Sequence, residues 1–399
     1  MQFDVTWLLL LIPATFVLGW LASRFDFRQL QLQNRRSPKA YFRGLNHLLK
    51  GEDDAAVADF EQAVRNDPDT PELQFALGHL FRERGQYNPA VRLHEHLLMR
   101  ADLSPAERQR AQHALAMDYT RAGILDRAEQ ALTRLEGSPH ETQSRQIRLA
   151  IYERLRDWPH AAQVAQLLQR EQAALYTRRL THYACEQALQ APHWEQSIAQ
   201  LQQARARDPH APRPLVELAR LYTQAGMGEH AAQVFTTLES AHPEWLALLA
   251  HAFVQLWISP SNPLKPHINL PEQLQKLYQQ QPNTDLLEAL VTLLAADPTT
   301  ATHSTHSSSD TTAPPAADYY LQHLRSKPSL VAAARWLESK AQTMHSLLPP
   351  EVVQALEKTA QPLLRYRCTS CGFEGERHYW HCPGCQAWDA YPPLRIGDF

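Results

Sequence analysis

The sequence predicts an all-α protein: helical hairpins stacked into a superhelix, behind one apolar N-terminal segment and ahead of a small cysteine-rich knuckle. Three observations predict it. Small and aromatic residues recur at a spacing of 34 between Tyr41 and Pro243, Val5 to Ser23 carries no charge, and four of the five cysteines form two Cys-x-x-Cys pairs near the C terminus. The composition agrees. Glycine accounts for 13 of 399 residues, roughly half the usual share of about 7%, which suits helices and disfavours glycine-rich phosphate loops. Basic and acidic residues number 39 and 42, so no overall field draws the chain to nucleic acid. An odd cysteine count does not match the paired framework of a secreted disulfide protein and points to a reducing compartment.

The apolar run comes first. A helix over the 19 residues from Val5 to Ser23 covers about 28 Å, close to the hydrocarbon thickness of a bilayer. A cleaved signal peptide wants a basic start and a shorter run; here the only charge before it is Asp4, and no small-x-small cleavage site follows. Residues 1–23 are therefore expected to be an uncleaved single-pass transmembrane anchor. Pro13 is tolerated in such a helix, where local adjustments satisfy the freed carbonyl. Arg24, Arg28, Arg35, Arg36, Lys39 and Arg43 follow the span, with only Asp26 opposing them. The positive-inside rule places the body on the cytoplasmic side, and the basic juxtamembrane segment 24–40 is set to attract anionic inner-membrane lipid.

From 41 to 296 the chain reads as a repeat array. The first unit carries Gly44, Ala56, Phe60 and Pro68, and the second, 34 residues on, carries Leu77, Gly78, Phe81 and Ala90. A third shows Ala116, Tyr119, Gly123 and Ala128, and a weaker fourth shows only Tyr152 and Ala161. The fifth ends at Pro209, and the sixth is the clearest, with Leu218, Ala219, Tyr222, Gly226, Ala231, Phe235 and Pro243. This is the tetratricopeptide period and pattern. Small residues let paired helices approach, aromatics fill the space between them, and each pair must stack because it cannot bury its apolar face alone. Stacking creates a concave surface suited to protein partners. Cys185 falls at the small-residue position of the fifth unit and is expected to pack as a small hydrophobe.

Beyond Pro243 the phase blurs, although Glu244 to Leu256, Pro271 to Gln280 and Asp285 to Ala296 still read as helices. The Thr/Ser/Pro-rich tract 297–317 is a linker in which His303 and His306 are expected to be solvated. Helices resume over 318–361, around Asp318 to Lys340 and Pro350 to Ala360.

The last segment, 366–393, holds Cys368-x2-Cys371-x10-Cys382-x2-Cys385. Two thiolates on each of two facing tight turns complete a tetrahedral four-sulfur site, and such a site suits iron and zinc alike. Gly372 can take positive φ after the second ligand, and Pro383 stiffens the other turn. Phe373, Tyr379, Trp380, Trp388 and Tyr391 are expected to build a core too small to stand without the metal, while His378 and His381 flank it without ligating. A thioredoxin-type pair would sit near a βαβ pattern, which is absent. Arg365, Arg367, Arg377 and Arg395 are too thin a scatter for nucleic-acid binding. No G-x-S-x-G, G-x4-G-K-[ST] or H-E-x-x-H signature occurs, and "HEH" at His94 to His96 has the wrong spacing, so no catalytic residue is assigned.

Anchor, repeats and knuckle in this order resemble the lipopolysaccharide assembly protein B family, inner-membrane tetratricopeptide proteins with a rubredoxin-type metal domain. The resemblance is carried by "GLNHLLKGEDDAAVADF", "LGHLFRERGQYNPAVRLH" and "YRCTSCGF" with "YWHCPGCQAW". The 297–317 tract looks like an insertion, the stretch from Trp257 to Pro271 matches weakly, and Gln386 stands where rubredoxins often have glycine. The resemblance implies an adaptor that presents the deacetylase committing lipid A synthesis to a membrane-bound ATP-dependent zinc metalloprotease. It also implies gathering of other lipopolysaccharide-synthesis or transport proteins at the inner membrane. The alternative is a membrane-tethered, rubredoxin-like electron carrier; the interval between the cysteine pairs is much shorter than in electron-carrying rubredoxins, which argues against it.

Overall fold

The computed structural model describes residues 36–170, 172–296, 316–341 and 349–399. The apolar run Val5 to Ser23, His303 and His306 lie outside them. Among the described residues no helix is long and apolar enough to cross a membrane. The chain divides into two compact units, Met1–Ile151 and Tyr152–Phe399.

In the first unit the hairpins are α1 (Arg36–Leu49) with α2 (Asp53–Asn66), α3 (Pro71–Glu83) with α4 (Tyr87–Met99), and α5 (Pro105–Ala122) with α6 (Leu125–Thr133), followed by α7 (Glu141–Leu155), which runs on into the second unit. Proline opens α3 and α5, where its missing N–H costs nothing. Ser104 and Glu107 close a reciprocal capping box ahead of α5.

The turn inside each hairpin repeats one device. Gly51, Gly85 and Gly123 hold φ of 75°, 72° and 76°, and the next N–H reaches back to the carbonyl five residues earlier: Glu52 to His47 at 2.9 Å, Gln86 to Phe81 at 2.8 Å and Ile124 to Tyr119 at 2.9 Å. This is the left-handed helix stop that glycine adopts without a Cβ penalty. The small residues of the repeat do what their spacing predicts. A Cβ on Gly44 would come within 2.8 Å of the Phe60 ring, and one on Gly78 within 2.4 Å of His94. The middle of the unit is sealed by charge as well as by packing. Asp118, fully buried, accepts from Arg82 Nη1 at 2.7 Å and pairs with His94 Nδ1. The first histidine of "HEH" is thus a core residue tied to a carboxylate.

The second unit contains the end of α7, α8 (Trp158–Leu168), α9 (Ala173–Leu189) with α10 (Trp194–Arg207), and α11 (Pro212–Gln224) with α12 (Gly228–Ala241). The hairpin stop recurs at Gly226, φ 69°, with Met227 N donating to Tyr222 O at 2.9 Å. Between α7 and α8 the same position is Arg156, φ 57°, and Asp157 N donates to Tyr152 O at 2.9 Å. Cys185 is fully buried among Leu201, Leu215 and Ala219, and burial pushes its thiol up to about 12.

Past Pro243 the expected helix over Glu244 to Leu256 is two pieces, a 3-10 turn Pro243–Leu248 and α13 (Ala250–Ile258). Then follow α14 (Leu270–Gln280), α15 (Thr284–Ala296), α16 (Ala316–Ser326), α17 (Leu330–Ala341) and α18 (Pro350–Ala360). α16 opens inside the tract expected to be linker. The weakly matching stretch before α14 is held by close approach: a Cβ on Gly228 would lie 2.0 Å from Pro263 O. The chain ends in a two-stranded antiparallel ladder, β1 (Tyr366–Arg367) and β2 (Glu374–Gly375), and the cysteine turns.

Because the His94 ring is fixed by Asp118, it cannot yield to a new methyl. Gly78→Ala should cost about 1–3 kcal/mol, read as a lower denaturant midpoint for the first unit.

Candidate metal centre and its seat on the repeats

Each cysteine pair sits on the same turn. Gly372 N donates to Cys368 O and Gln386 N to Cys382 O, both at 2.9 Å; Cys368 N donates to Phe373 O and Cys382 N to Ala387 O, again at 2.9 Å. The residue after the second cysteine must turn left-handed, at φ 77° in Gly372 and 60° in Gln386. The expectation for Gly372 holds, and Gln386 performs the same role without glycine's freedom.

The two turns bring Cys368, Cys371, Cys382 and Cys385 together, with all four Sγ atoms within 4.8 Å of one another. Across the turns, Cys368 and Cys385 are 3.8 Å apart and Cys371 and Cys382 3.7 Å. Disulfide sulfurs would lie about 2.05 Å apart. A tetrahedral ion with sulfur at about 2.3 Å sets edges of about 3.8 Å, so the donor set fits one iron or zinc ion. Cys368 and Cys382 are buried, Cys371 and Cys385 exposed.

Of the five aromatic residues expected to build the knuckle core, Tyr379 and Tyr391 do so, and Phe373, Trp380 and Trp388 do not. The small core inside the knuckle is Tyr366, Cys368, Cys382, Ala390 and Tyr391, with Tyr379 against it. Phe373 is 42% exposed, and Trp380 and Trp388 point out of the knuckle into the helices of the second unit. Trp380 joins the large helical core, stacks on Trp245 at 4.4 Å between ring centres, and donates its indole N–H to Glu217 at 3.0 Å. Trp388 lies between His182 and His381, with centroids at 4.6 and 4.3 Å, and donates to Glu153 at 2.9 Å. Arg213 covers both indoles, at 5.6 and 5.7 Å, and donates to Glu186 at 2.6 Å. Tryptophan beside a desolvated guanidinium gains from the ring quadrupole as well as from burial. The knuckle therefore seats on the fourth, fifth and sixth repeats.

The charges at this seat are internally consistent. Arg213 donates to His182 Nδ1, at 3.3 Å, so His182 Nε2 carries the proton and donates to Asp389 at 2.9 Å. Burial holds His182 below its usual pKa, more than Asp389 can raise it. Burial alone would raise Asp389, but the His182 hydrogen bond together with the nearby charges of His182, Arg178 and Arg213 outweighs it and holds the carboxyl below its usual value. His378, expected to flank the metal, donates Nε2–H to Tyr391 O at 2.9 Å and meets Trp245 and Trp380 edge-on; burial pushes it down to about 4. His381 stacks on Trp388. The four scattered arginines are engaged: Arg365 and Arg367 with Glu374, Arg395 with Asp285 at 2.7 Å, and Arg377 over Tyr379. Asp285 also accepts from Tyr366 OH at 3.1 Å, and Asp398 accepts from Thr284 N at 2.9 Å, which ties the tail to α15.

Sequence reasoning missed Glu153, His182, Arg213 and Glu217, all under a tenth exposed. The available signal was charge at positions where the helical stripe calls for apolar residues. Glu217 lies among Leu215, Val216 and Leu218.

A family model described as a rubredoxin metal binding domain matches residues 366–390, and a tetratricopeptide repeat model matches residues 73–109. Lipopolysaccharide assembly protein B of Escherichia coli (strain K12) is 27% identical over 403 residues, covering 97% of this chain and 98% of that protein. The protein of the same name from Haemophilus influenzae is 26% identical over 408 residues, with the same coverage of 97% and 98%. A crystal structure of a tetratricopeptide repeat protein from Parabacteroides merdae aligns at a TM-score of 0.33 and 16% identity, over 65% of this chain and 99% of that one.

A left-handed L-residue costs about 1–2 kcal/mol, of which glycine's extra chain entropy returns part. Gln386→Gly should therefore stabilise the knuckle by about 0.5–1 kcal/mol, read as a higher chelator or denaturant midpoint. His378 predicts a pH dependence. Its folded pKa lies below the unfolded value of about 6.5, so its contribution is full above that value and is lost as pH falls toward 4. The loss approaches about 3 kcal/mol, and the unfolding midpoint of His378→Phe should fall less steeply than that of the parent in this window.

Proposed function

From the premise that this chain is similar to lipopolysaccharide assembly protein B along nearly its whole length, we propose that it acts in lipopolysaccharide assembly as a membrane-anchored, cytoplasm-facing adaptor. In this reading the repeats present the deacetylase that commits lipid A synthesis to a membrane-bound ATP-dependent zinc metalloprotease, and loss of the deacetylase limits lipopolysaccharide. Other lipopolysaccharide-synthesis or transport proteins are further partners, and inner-membrane lipid is the surface on which they meet. Residues 1–23 serve as the single-pass anchor, 24–40 as the basic segment, 41–296 as the array, 297–317 as a linker, 318–361 as the C-terminal helices and 366–393 as the metal domain.

The observation that carries this reading, beside the whole-length likeness, is the seating of Trp380 and Trp388 on the repeats. It supports a clasp rather than an electron carrier. Cys368, Cys371, Cys382 and Cys385 hold one iron or zinc ion, which when bound supplies a cross-link between the two turns and keeps no open position for a reactant. The chain's own residues do the rest: the indoles carry that rigidity into α7, α11 and the Pro243–Leu248 turn. Tethering confines the adaptor and its partners to the membrane surface, which raises their effective concentration.

The test is deacetylase half-life in cells. Removing Val5 to Ser23 should leave the fold intact and lengthen that half-life, and an unchanged half-life rejects the adaptor. Changing Cys382 and Cys385 to serine should loosen the second unit and weaken control together; normal control with a released knuckle contradicts the clasp.

A further inference from the structure

The first helix of the array exposes apolar surface that a terminal repeat normally replaces with polar residues for solubility. In α1, Phe42 is 59% exposed and Leu49 78%. They are seven residues apart, two helical turns, and therefore share one face. The opposite face is occupied: Ala40 is buried, and Gly44 lies against Phe60 of α2. Exposed Lys39 and Lys50 bracket the two apolar residues. Arg43 turns to α2, meeting Asp59 at 3.3 Å and Gln62 at 3.1 Å.

Three features of the chain say what covers this face. Twelve residues separate Ser23 from Arg36, so even a fully extended tether keeps α1 within about 47 Å of the predicted span. Between 24 and 50 the charges are Arg24, Arg28, Arg35, Arg36, Lys39, Arg43 and Lys50 against Asp26 alone. The acidic residues that follow are partly engaged, Glu52 with His47 and Asp54 with Arg84. An aromatic and a leucine on one helix face with lysines at both ends is the pattern of a helix lying in a membrane interface.

We propose that α1 lies along the anionic cytoplasmic face of the bilayer, with Phe42 and Leu49 at the boundary of headgroups and acyl chains and Lys39 and Lys50 against lipid phosphates. The first hairpin is then docked flat on the membrane, which gives the first unit a fixed orientation instead of free swing on its tether. This rests on the anchor reading above.

The test uses the full chain in vesicles of phosphatidylethanolamine and phosphatidylglycerol, with the photoreactive residue p-benzoylphenylalanine replacing Phe42 or Leu49. Irradiation should yield phospholipid adducts at both positions. Lys39→Glu and Lys50→Glu, or replacement of phosphatidylglycerol by phosphatidylcholine, should lower the yield, by about fivefold for each lysine. Flotation of the same samples separates the two readings. Protein that does not float with the vesicles defeats the anchor and this inference with it. Protein that floats yet gives no lipid adduct, or crosslinks instead to a second copy or to its own residues 24–35, overturns this inference alone.

Discussion

Two indole N–H groups pointed at two buried carboxylates, Trp388 to Glu153 and Trp380 to Glu217, are the constraint on which the second unit depends. Glu153 is 6% exposed and Glu217 3%, and a charge so placed is tolerated only when its hydrogen bonds are made. The repeats supply part of the set: Tyr183 and Arg179 on Glu153, Arg213 and Arg220 near Glu217. The knuckle supplies the remainder. Without it Glu217 and Glu153 each lose an indole donor and Arg213 loses the two rings it covers, so the polar groups the repeats leave on this face would need water in their place. The polar seat thus fixes where the knuckle docks, and the stacked rings around it provide the area.

Much of the architecture was legible because the repeat leaves a steric record. Gly44 and Gly78 are small where a helix crosses a ring, and Gly123 and Gly226 sit where the backbone turns left-handed. The fourth repeat looked weak for the same physical reason. Its turn has the same geometry, but the left-handed position is Arg156, so the fold persists where its sequence mark does not. The bond from Asp157 N to Tyr152 O and the Asp157 carboxylate on His160 close that turn, and a pattern keyed to glycine passes over it. Apolar spacing reads the helix past Pro243 as unbroken because it does not distinguish a 3-10 turn from an α-helical one over six residues.

The cysteines were legible for a different reason. Four donors at two matched spacings have few arrangements open to them, and the Sγ separations are those of a tetrahedron. The aromatics beside them were legible in kind but not in direction. A short segment rich in tryptophan must bury it, yet nothing in the local sequence says whether the rings face each other or distant helices, as Trp380 does at Trp245 and Glu217 and Trp388 at His182 and Glu153. The missing information lay in the repeats, as charges on apolar stripes at Glu217 and Arg213. Polar residues on a core face are a request for a partner, and the partner was the knuckle.

This arrangement has a thermodynamic consequence for the whole second unit. Ion binding to four thiolates stabilises only the folded turns, so its free energy counts toward folding of whatever the turns hold. Here they hold Trp380, which belongs to the same continuous core as Cys185, Phe235, Phe253 and Leu293. Stability given to the knuckle is therefore shared with helices that contain no ligand, and the tail that ties Asp398 to Thr284 extends that sharing to α15. A metal site that binds and transforms a substrate keeps a coordination position open, whereas four sulfurs are gathered to fill this one. One that is packed through two tryptophans into a repeat core is suited to keeping a binding surface in a single shape.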